Sequence, residues 1–265
     1  MNHGHSRTWG SQKPPCGAPI DRNHPLANGL VMFWALAEAG GRITADAAGG
    51  RIGTLTNGPL WRPTGGGMGV YFDGVDDDVR FASPGNAFDG RFLSVFAMAK
   101  WIPGSNSNPR IVDREYGGQF AAYLNEATMA MGMALNSPSG QFDTVVSSSI
   151  PQNEWVRLAW TWDGANVRCY LNGRTWGNPS AFAATGLAAS TQPMRIGQRV
   201  DAGSNRAFNG EMACVGLWNR CLQPAEIAAL SAEPYCMFAG GSPAAAESAG
   251  RALVDGSLAA AHGAT

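Results

Sequence analysis

The sequence is poor in charge. Asp, Glu, Lys and Arg make up 15% of it, against roughly 25% in typical soluble domains. Lysine is almost missing, with Lys13 and Lys100 set against 17 arginines. Acids and bases nearly cancel at a net charge of -1, so the basic surplus that marks nucleic-acid binding is lacking. No apolar run approaches the ~18 residues needed to span a bilayer, which predicts no membrane partner. Histidine occurs only as His3, His5, His24 and His262, near the two ends. A hydrolase built around a central Ser-His-Asp set is therefore not expected. The five cysteines (Cys16, Cys169, Cys214, Cys221, Cys236) show no Cys-x-x-Cys spacing. Cys169 and Cys214 fall in predicted strands, where a thiol acts as a small hydrophobe. Reduced cysteines are expected, and a disulfide within Cys214, Cys221 and Cys236 is the alternative. The opening residues hold no apolar segment of the secretory kind, and no Asn-x-Ser/Thr acceptor occurs. Synthesis in a reducing, host-type cytoplasm follows as an expectation.

What is abundant is glycine, 35 of 265 residues, nearly twice the usual ~7%. Many tight turns, and hence β structure, are implied. A chain that is 45% hydrophobic with so little net charge can bury a core and need not be disordered. Three zones separate by composition. Residues 1–28, with Pro14, Pro15, Pro19 and Pro25, read as an extended arm. Residues 29–239 carry the strand signals, and 240–265 form an Ala/Gly-rich tail with a helix-compatible stretch at Ala244–Leu253. In the middle zone short candidate strands follow one another: Gly29–Leu36, Val70–Phe72, Val79–Phe81, Phe92–Trp101, Arg110–Asp113, Phe120–Leu124, Thr128–Leu135, Phe142–Val146, Met194–Gly197 and Phe208–Trp218. Phe92–Trp101 is apolar on both of its alternating faces.

The clearest segment is Glu154–Arg174. Val156, Leu158, Trp160 and Trp162 alternate with Arg157, Ala159 and Thr161, and after Asp163-Gly164-Ala165-Asn166 the chain returns with Val167, Cys169 and Leu171 on one face. Asn172-Gly173 then offers the positive φ angles of a tight hairpin turn. Leu222–Leu230 reads as one short helix with Pro224 at its first position. Strands at this spacing indicate an all-β sandwich or barrel.

These segments, in order, resemble a known family. Phe72-Asp73-Gly74-Val75-Asp76-Asp77, then Trp155 through Gly164, Tyr170-Leu171-Asn172-Gly173, Arg195-Ile196-Gly197, Phe208-Asn209-Gly210-Glu211 and Leu217 through Leu222 are similar to the laminin-G-like, concanavalin A-like superfamily. The resemblance covers about residues 29–232. It implies an antiparallel jelly roll of two sheets, one of them concave, with one short C-terminal helix and extended terminal arms. Glu211-Met212 departs from the acidic pair the family carries after Phe-Asn-Gly. The flanks Gln12 to Val31 and Glu233 to Phe238 look like those of this domain in bacteriophage-encoded proteins.

Catalytic groups are scarce. The β-glucan hydrolases of the superfamily use a Glu-x-Asp-x-x-Glu strand, and no such spacing occurs; Asp113 and Glu115 stand in reverse order without a third acid. Asp73, Asp76 and Asp77, with Asp78, form the acidic cluster, which reads either as turn chemistry or as part of a calcium site. His3 and His5 offer only an adventitious metal pair. Trp34, Trp160, Trp162 and Trp218 read as core. Trp61, Trp101 and Trp176, near loops, read as exposed platforms for a sugar. Trp9, Lys13, Pro14, Pro15, Tyr235 and Phe238 read as contacts to neighbouring subunits, in keeping with an Arg-rich, Lys-poor composition, which a GC-rich genome also produces.

The expectation is a non-enzymatic binding protein of a multi-subunit assembly, a phage virion in capsid decoration or tail. It would be located on the virion and would self-associate and contact other virion proteins. Host or environmental glycans are further partners, with no cofactor required and calcium as a candidate. A free-standing carbohydrate-binding lectin or adhesin is the alternative, and a glycoside hydrolase the third reading.

Overall fold

A computed structural model describes residues 12–239, apart from 65, 105 and 201–205. In chain order the strands are β1 (Leu30–Trp34), β2 (Ile43–Ala45), β3 (Ile52–Thr56), β4 (Leu60–Thr64), β5 (Gly67–Asp73), β6 (Asp78–Phe81), β7 (Leu93–Trp101), β8 (Arg110–Arg114) and β9 (Phe120–Asn125). They continue as β10 (Ala130–Ser137), β11 (Gly140–Ser149), β12 (Trp155–Trp162), β13 (Asn166–Leu171), β14 (Arg174–Thr175), β15 (Ser180–Ala181), β16 (Met194–Ile196) and β17 (Asn209–Trp218), before helix α1 (Pro224–Ala232). A nine-stranded sheet runs β14-β13-β12-β7-β17-β5-β4, with β1 added on β17 and β15 on β13. An eight-stranded sheet runs β11-β10-β9-β8-β16-β6-β3-β2. The pairings between strands are antiparallel, as the jelly roll requires.

Alternation builds the interior. Val156, Leu158, Trp160 and Trp162 of β12 face inward with Leu93, Val95, Ala97 and Ala99 of β7. From the other sheet come Val79, Phe81, Phe120, Ala122, Leu124, Met131, Met133 and Leu135. Trp34 of β1 meets Phe81 of β6 across the layers at a centroid distance of 4.0 Å. The hairpin falls where the period placed it: Leu158 pairs with Leu171 and Trp162 with Val167. Asp163 Oδ1 accepts the Ala165 and Asn166 N–H groups at 2.9 and 2.7 Å. Asn172 and Gly173 take φ of 49° and 83°, closing β13 on β14. The five cysteines are free thiols. Burial lifts Cys214 to about 11, so it packs as a hydrophobe.

The outer face of the nine-stranded sheet is also apolar, and it carries a second core. Phe33, Phe96, Ala159, Tyr170, Cys214 and Trp218 are covered by Ala18, Ile20, Leu26 and Ala27 from one end, and by Ile227, Leu230, Tyr235, Met237 and Phe238 from the other. Ile20 forms a β-bridge with Phe238, and Trp218 Nε1 donates to Leu26 O at 2.6 Å. Arg220 grips Asn28 O and Pro25 O while its guanidinium pairs with both oxygens of Glu226 in α1. The boundary drawn at residue 28 therefore moves. Residues 12–28 are not a free arm but part of the folded unit, because an apolar outer sheet face must be shielded from water.

The same finding corrects the assembly contacts. Tyr235 and Phe238 are buried against Phe33, edge-on at 6.4 and 5.4 Å between centroids. Pro14 is buried as well, and Pro15 is exposed. Lys13 Nζ donates to Ala35 O, Leu36 O and Ala213 O. Its side chain is engaged within the chain, not offered to a neighbour. Trp9, the His3/His5 pair and the 240–265 tail lie outside the described residues.

Candidate functional site

The three tryptophans do not form a platform. Trp101 is wholly buried in the main core, as the inward phase of β7 dictates. Trp61, on edge strand β4, is half-buried and donates its indole N–H to Gly41 O at 2.9 Å. Trp176, just past β14, is half-buried and donates to Ser148 O at 3.0 Å. β4 and β14 close opposite ends of the nine-stranded sheet, so the two indoles cannot share a ligand.

The outer face of the eight-stranded sheet has the opposite character. Asp113 of β8, Tyr123 of β9 and Asp143 of β11 lie on it, out of phase with the inward Val112, Leu124 and Phe142. Tyr123 pairs with Gly132 of β10, and a Cβ there would sit 2.2 Å from the ring, so glycine lets the tyrosine lie across the strand. The Arg110 guanidinium lies over the Tyr123 and Tyr116 rings at 4.8 and 5.0 Å from their centroids. Arg199 lies over Tyr116 at 4.8 Å. Such cation–π contacts are strengthened when desolvated. Both tyrosine hydroxyls donate to Asp143, one to each carboxylate oxygen. Burial, then the hydrogen bond to Asp143 and its charge, pushes both phenols up, so they remain donors at neutral pH.

Beneath this array Arg110 Nε meets Asp113 Oδ2 at 3.0 Å, with both side chains removed from solvent. Burial lowers the arginine and raises the carboxyl, and each is what keeps the other charged. Asp113 Oδ1 also accepts Glu115 N at 2.9 Å and Val200 N at 3.2 Å, so one carboxylate fastens two loops over the sheet. At the far end of β8, buried Arg114 donates to Gln119, Ser83, Gly85 O and Ser190 O, tying down two more segments. At the solvent side the array presents exposed Asp143 with half-buried Tyr116, Arg199 and Arg206. The Asp143 carboxylate as acceptor beside guanidinium donors suits a polyhydroxylated ligand.

The acidic turn is assembled as the sequence suggests. One carboxylate oxygen each from Asp73, Asp76 and Asp77 lies within 4.8 Å of the others. Two clefts elsewhere among the described residues hold acids that are already engaged. One of about 580 Å³, lined by Phe92, Asp163, Arg168, Tyr170 and Arg220 among others, holds a single carboxylate, and Asp163 is engaged by Arg168. A cavity of about 210 Å³ brings Glu38 and Asp46 together. Glu38 accepts from Thr44 and Ala45, and Asp46 from Phe33, Ala48 and Arg51, so both hold backbone in place.

Comparison with known proteins adds the following. The family described as the concanavalin A-like lectin/glucanases superfamily, a laminin-G-like group, matches residues 73–228. No curated protein matches the sequence. Among solved structures, the chain is similar to the binding domain of Paraclostridial Mosquitocidal Protein 1 (TM-score 0.64, 11% identity, 78% of this chain and 52% of that one). It is similar to domain 4 of AbnA, a GH43 extracellular arabinanase from Geobacillus stearothermophilus, in complex with arabinotriose (TM-score 0.53, 16% identity, 76% and 98%). It is also similar to a botulinum neurotoxin type C structure, whose uptake by cells is described as dependent on two ganglioside molecules (TM-score 0.60, 14% identity, 78% and 51%). At such identities the likeness is one of fold, and the chain spans about half the length of the two toxin chains.

Proposed function

We propose that this chain, which belongs to the concanavalin A-like lectin/glucanases superfamily, is a glycan-binding module that holds its ligand without transforming it. The observation that carries this reading is the Arg110–Tyr116–Tyr123–Asp143 array on the outer face of the eight-stranded sheet. Its counterpart face on the other sheet is closed by the terminal segments. Two solved structures of the same fold bear on carbohydrate, one with arabinotriose and one linked to gangliosides. Retaining glycoside hydrolysis needs two free carboxyls about 5–5.5 Å apart flanking a groove. In two of the clefts the lining acids, Asp163, Glu38 and Asp46, are held by backbone or arginine instead. Screening the full chain on a glycan array, followed by calorimetry on the best ligand, tests the proposal. Asp143→Ala is expected to weaken binding about tenfold or more, as loss of a charge-assisted hydrogen bond would. Unchanged affinity in that variant, or turnover of the bound glycan, would overturn it.

The finer reading is that the domain serves in a multi-subunit particle, a bacteriophage virion, made in the host cytoplasm and displaying this face outward. The phage-like flanks Gln12 to Val31 and Glu233 to Phe238 favour it. Because Lys13, Tyr235 and Phe238 are engaged internally, the attachment is assigned to residues 1–11 and 240–265. Deleting 240–265 should abolish incorporation into particles while the sandwich still folds. Normal incorporation of that deletion, and of one lacking 1–11, would leave a free-standing lectin.

A further inference from the structure

We propose that a cleft at one corner of the nine-stranded sheet binds a small organic carboxylate, with Arg168 holding its oxyanion and Phe92 its apolar body. It lies on the opposite outer face from the Arg–Tyr–Asp array and is independent of the proposed glycan site. The cleft, of about 580 Å³, opens between β13, the turn after β12 and the stretch that leads into α1. That size falls within the range of small-molecule sites, roughly 300–1,000 Å³.

The cleft exists because the terminal cover stops short. Phe96 of β7 is wholly buried beneath that cover. Phe92, on the same outward phase just before the strand, stays 43% exposed and forms one wall of the cleft. The stretch that supplies another wall is fixed. Ser94 Oγ donates to Arg220 O at 2.7 Å and accepts the Leu222 N–H at 2.8 Å. An exposed ring beside a set wall gives an apolar body a preformed surface, at little ordering cost.

Its polar side favours an anion. Arg168 and Tyr170 share the outward phase of β13, opposite the inward Val167, Cys169 and Leu171. Arg168 commits Nη1 to Asp163 Oδ2, and Asp163 Oδ1 is itself held by the Ala165 and Asn166 amides. The guanidinium is thereby oriented. Its Nε and Nη2 form no hydrogen bond among the described residues, and the side chain is 32% exposed. That Nε–Nη2 edge is the fork a carboxylate fills with two parallel bonds. Asp163 is the single acid lining the cleft and is already engaged, so an ammonium finds no free carboxylate there. Burial raises both the Tyr170 phenol and the Cys221 thiol, which keeps these lining groups uncharged beside an anion. Arg91 lies against the same turn, its Nε 2.6 Å from where a Gly164 Cβ would sit. It pairs with no acid among the described residues, so positive charge is in excess at this corner.

The test titrates 3-phenylpropionate into the full chain at neutral pH and follows backbone amide shifts by NMR. Saturable shifts are expected at Phe92, Arg168 and Cys221–Gln223, with Kd of about 1–5 mM for a probe of this size. 3-Phenylpropan-1-ol and 3-phenylpropylamine keep the ring and lose the carboxylate, and should bind about tenfold more weakly or worse. Arg168→Gln should weaken the carboxylate by about tenfold or more, and Arg168→Lys, which keeps the charge without the fork, by about threefold. Phe92→Ala, at an exposed position, should weaken it by about threefold with the fold intact. Asp143→Ala should leave this titration unchanged while it weakens the proposed glycan binding. Absence of saturable shifts at the cleft in the parent would overturn the proposal. Equal binding of the alcohol would do the same, as would parent-like binding by folded Arg168→Gln and Phe92→Ala. Loss of binding in Asp143→Ala would overturn the placement on this face.

Discussion

The two outer faces of the sandwich are covered by different chemistry. On the nine-stranded sheet, Phe33, Phe96, Tyr170 and Trp218 meet a cover of Ile20, Leu26, Ile227, Leu230, Tyr235 and Phe238, which amounts to a second hydrophobic core. On the eight-stranded sheet, Asp113, held by Arg110, fastens the Glu115 and Val200 backbone over the strands, and the surface presented is Tyr, Asp and Arg. The apolar cover is non-directional and stabilises by burial alone. The polar cover is directional, tolerates little displacement, and therefore sets donors and acceptors in fixed positions. One face is built for stability, and the other is the one to which the proposed function assigns recognition.

Substitutions can break or sharpen this contrast. Asp113→Ala is expected to have the largest effect, about 3–5 kcal/mol in urea unfolding, because it leaves Arg110 buried without its counter-charge. It also frees the Glu115 and Val200 amides, whose hydrogen exchange should accelerate, and glycan binding should fall with it. Phe33→Ala removes the ring that meets Tyr235 and Phe238, for a loss of about 3 kcal/mol. If the apolar cover is purely structural, this variant binds glycan like the parent at temperatures where it is folded. Weakened binding by folded Phe33→Ala would erase the division between the faces. Lys13→Met has the smallest effect, about 1–2 kcal/mol at neutral pH, since three carbonyls lose their donor. Burial pulls the Lys13 amine from 10.5 to about 8, with Cys214 and Glu38 opposing. Between those values the unfolded chain keeps a proton that the folded chain has released, so stability attributable to Lys13 rises with pH across the window. Subtracting the Lys13→Met unfolding curve from the parent's between pH 8 and 10.5 should expose that slope.

Much of the sandwich was legible along the sequence because one-sided burial writes a period of two. The hairpin from Trp155 to Leu171 is the clearest instance, with its Asn172-Gly173 turn. β2, β3 and β4 were not legible: they are short or carry exposed Ile43, Ile52 and Leu60, and β4 contains Pro63. The acidic turn was readable because its members are neighbours in sequence. The Arg–Tyr–Asp array was not, since Arg110, Tyr116, Tyr123, Asp143 and Arg199 meet only after three strands and two loops fold together. Trp101, though next to a loop, is core because it shares the inward phase of Leu93, Val95, Ala97 and Ala99. For the terminal aromatics the sequence does carry a signal. A strand apolar on both faces, as β7 is, calls for a cover on each side, and Tyr235 and Phe238 supply one.

The pairing of Ile20 with Phe238 is extended by hydrogen bonds from Asp21 N to Met237 O at 2.8 Å and from Ala239 N to Pro19 O at 2.9 Å. Incoming and outgoing chain thus run side by side like the two prongs of a plug. A unit with such prongs can be grafted into a surface loop of a larger protein without prising the loop's stems apart. Wherever it is seated by those prongs, the arginine–tyrosine side of the sandwich is turned away from the socket.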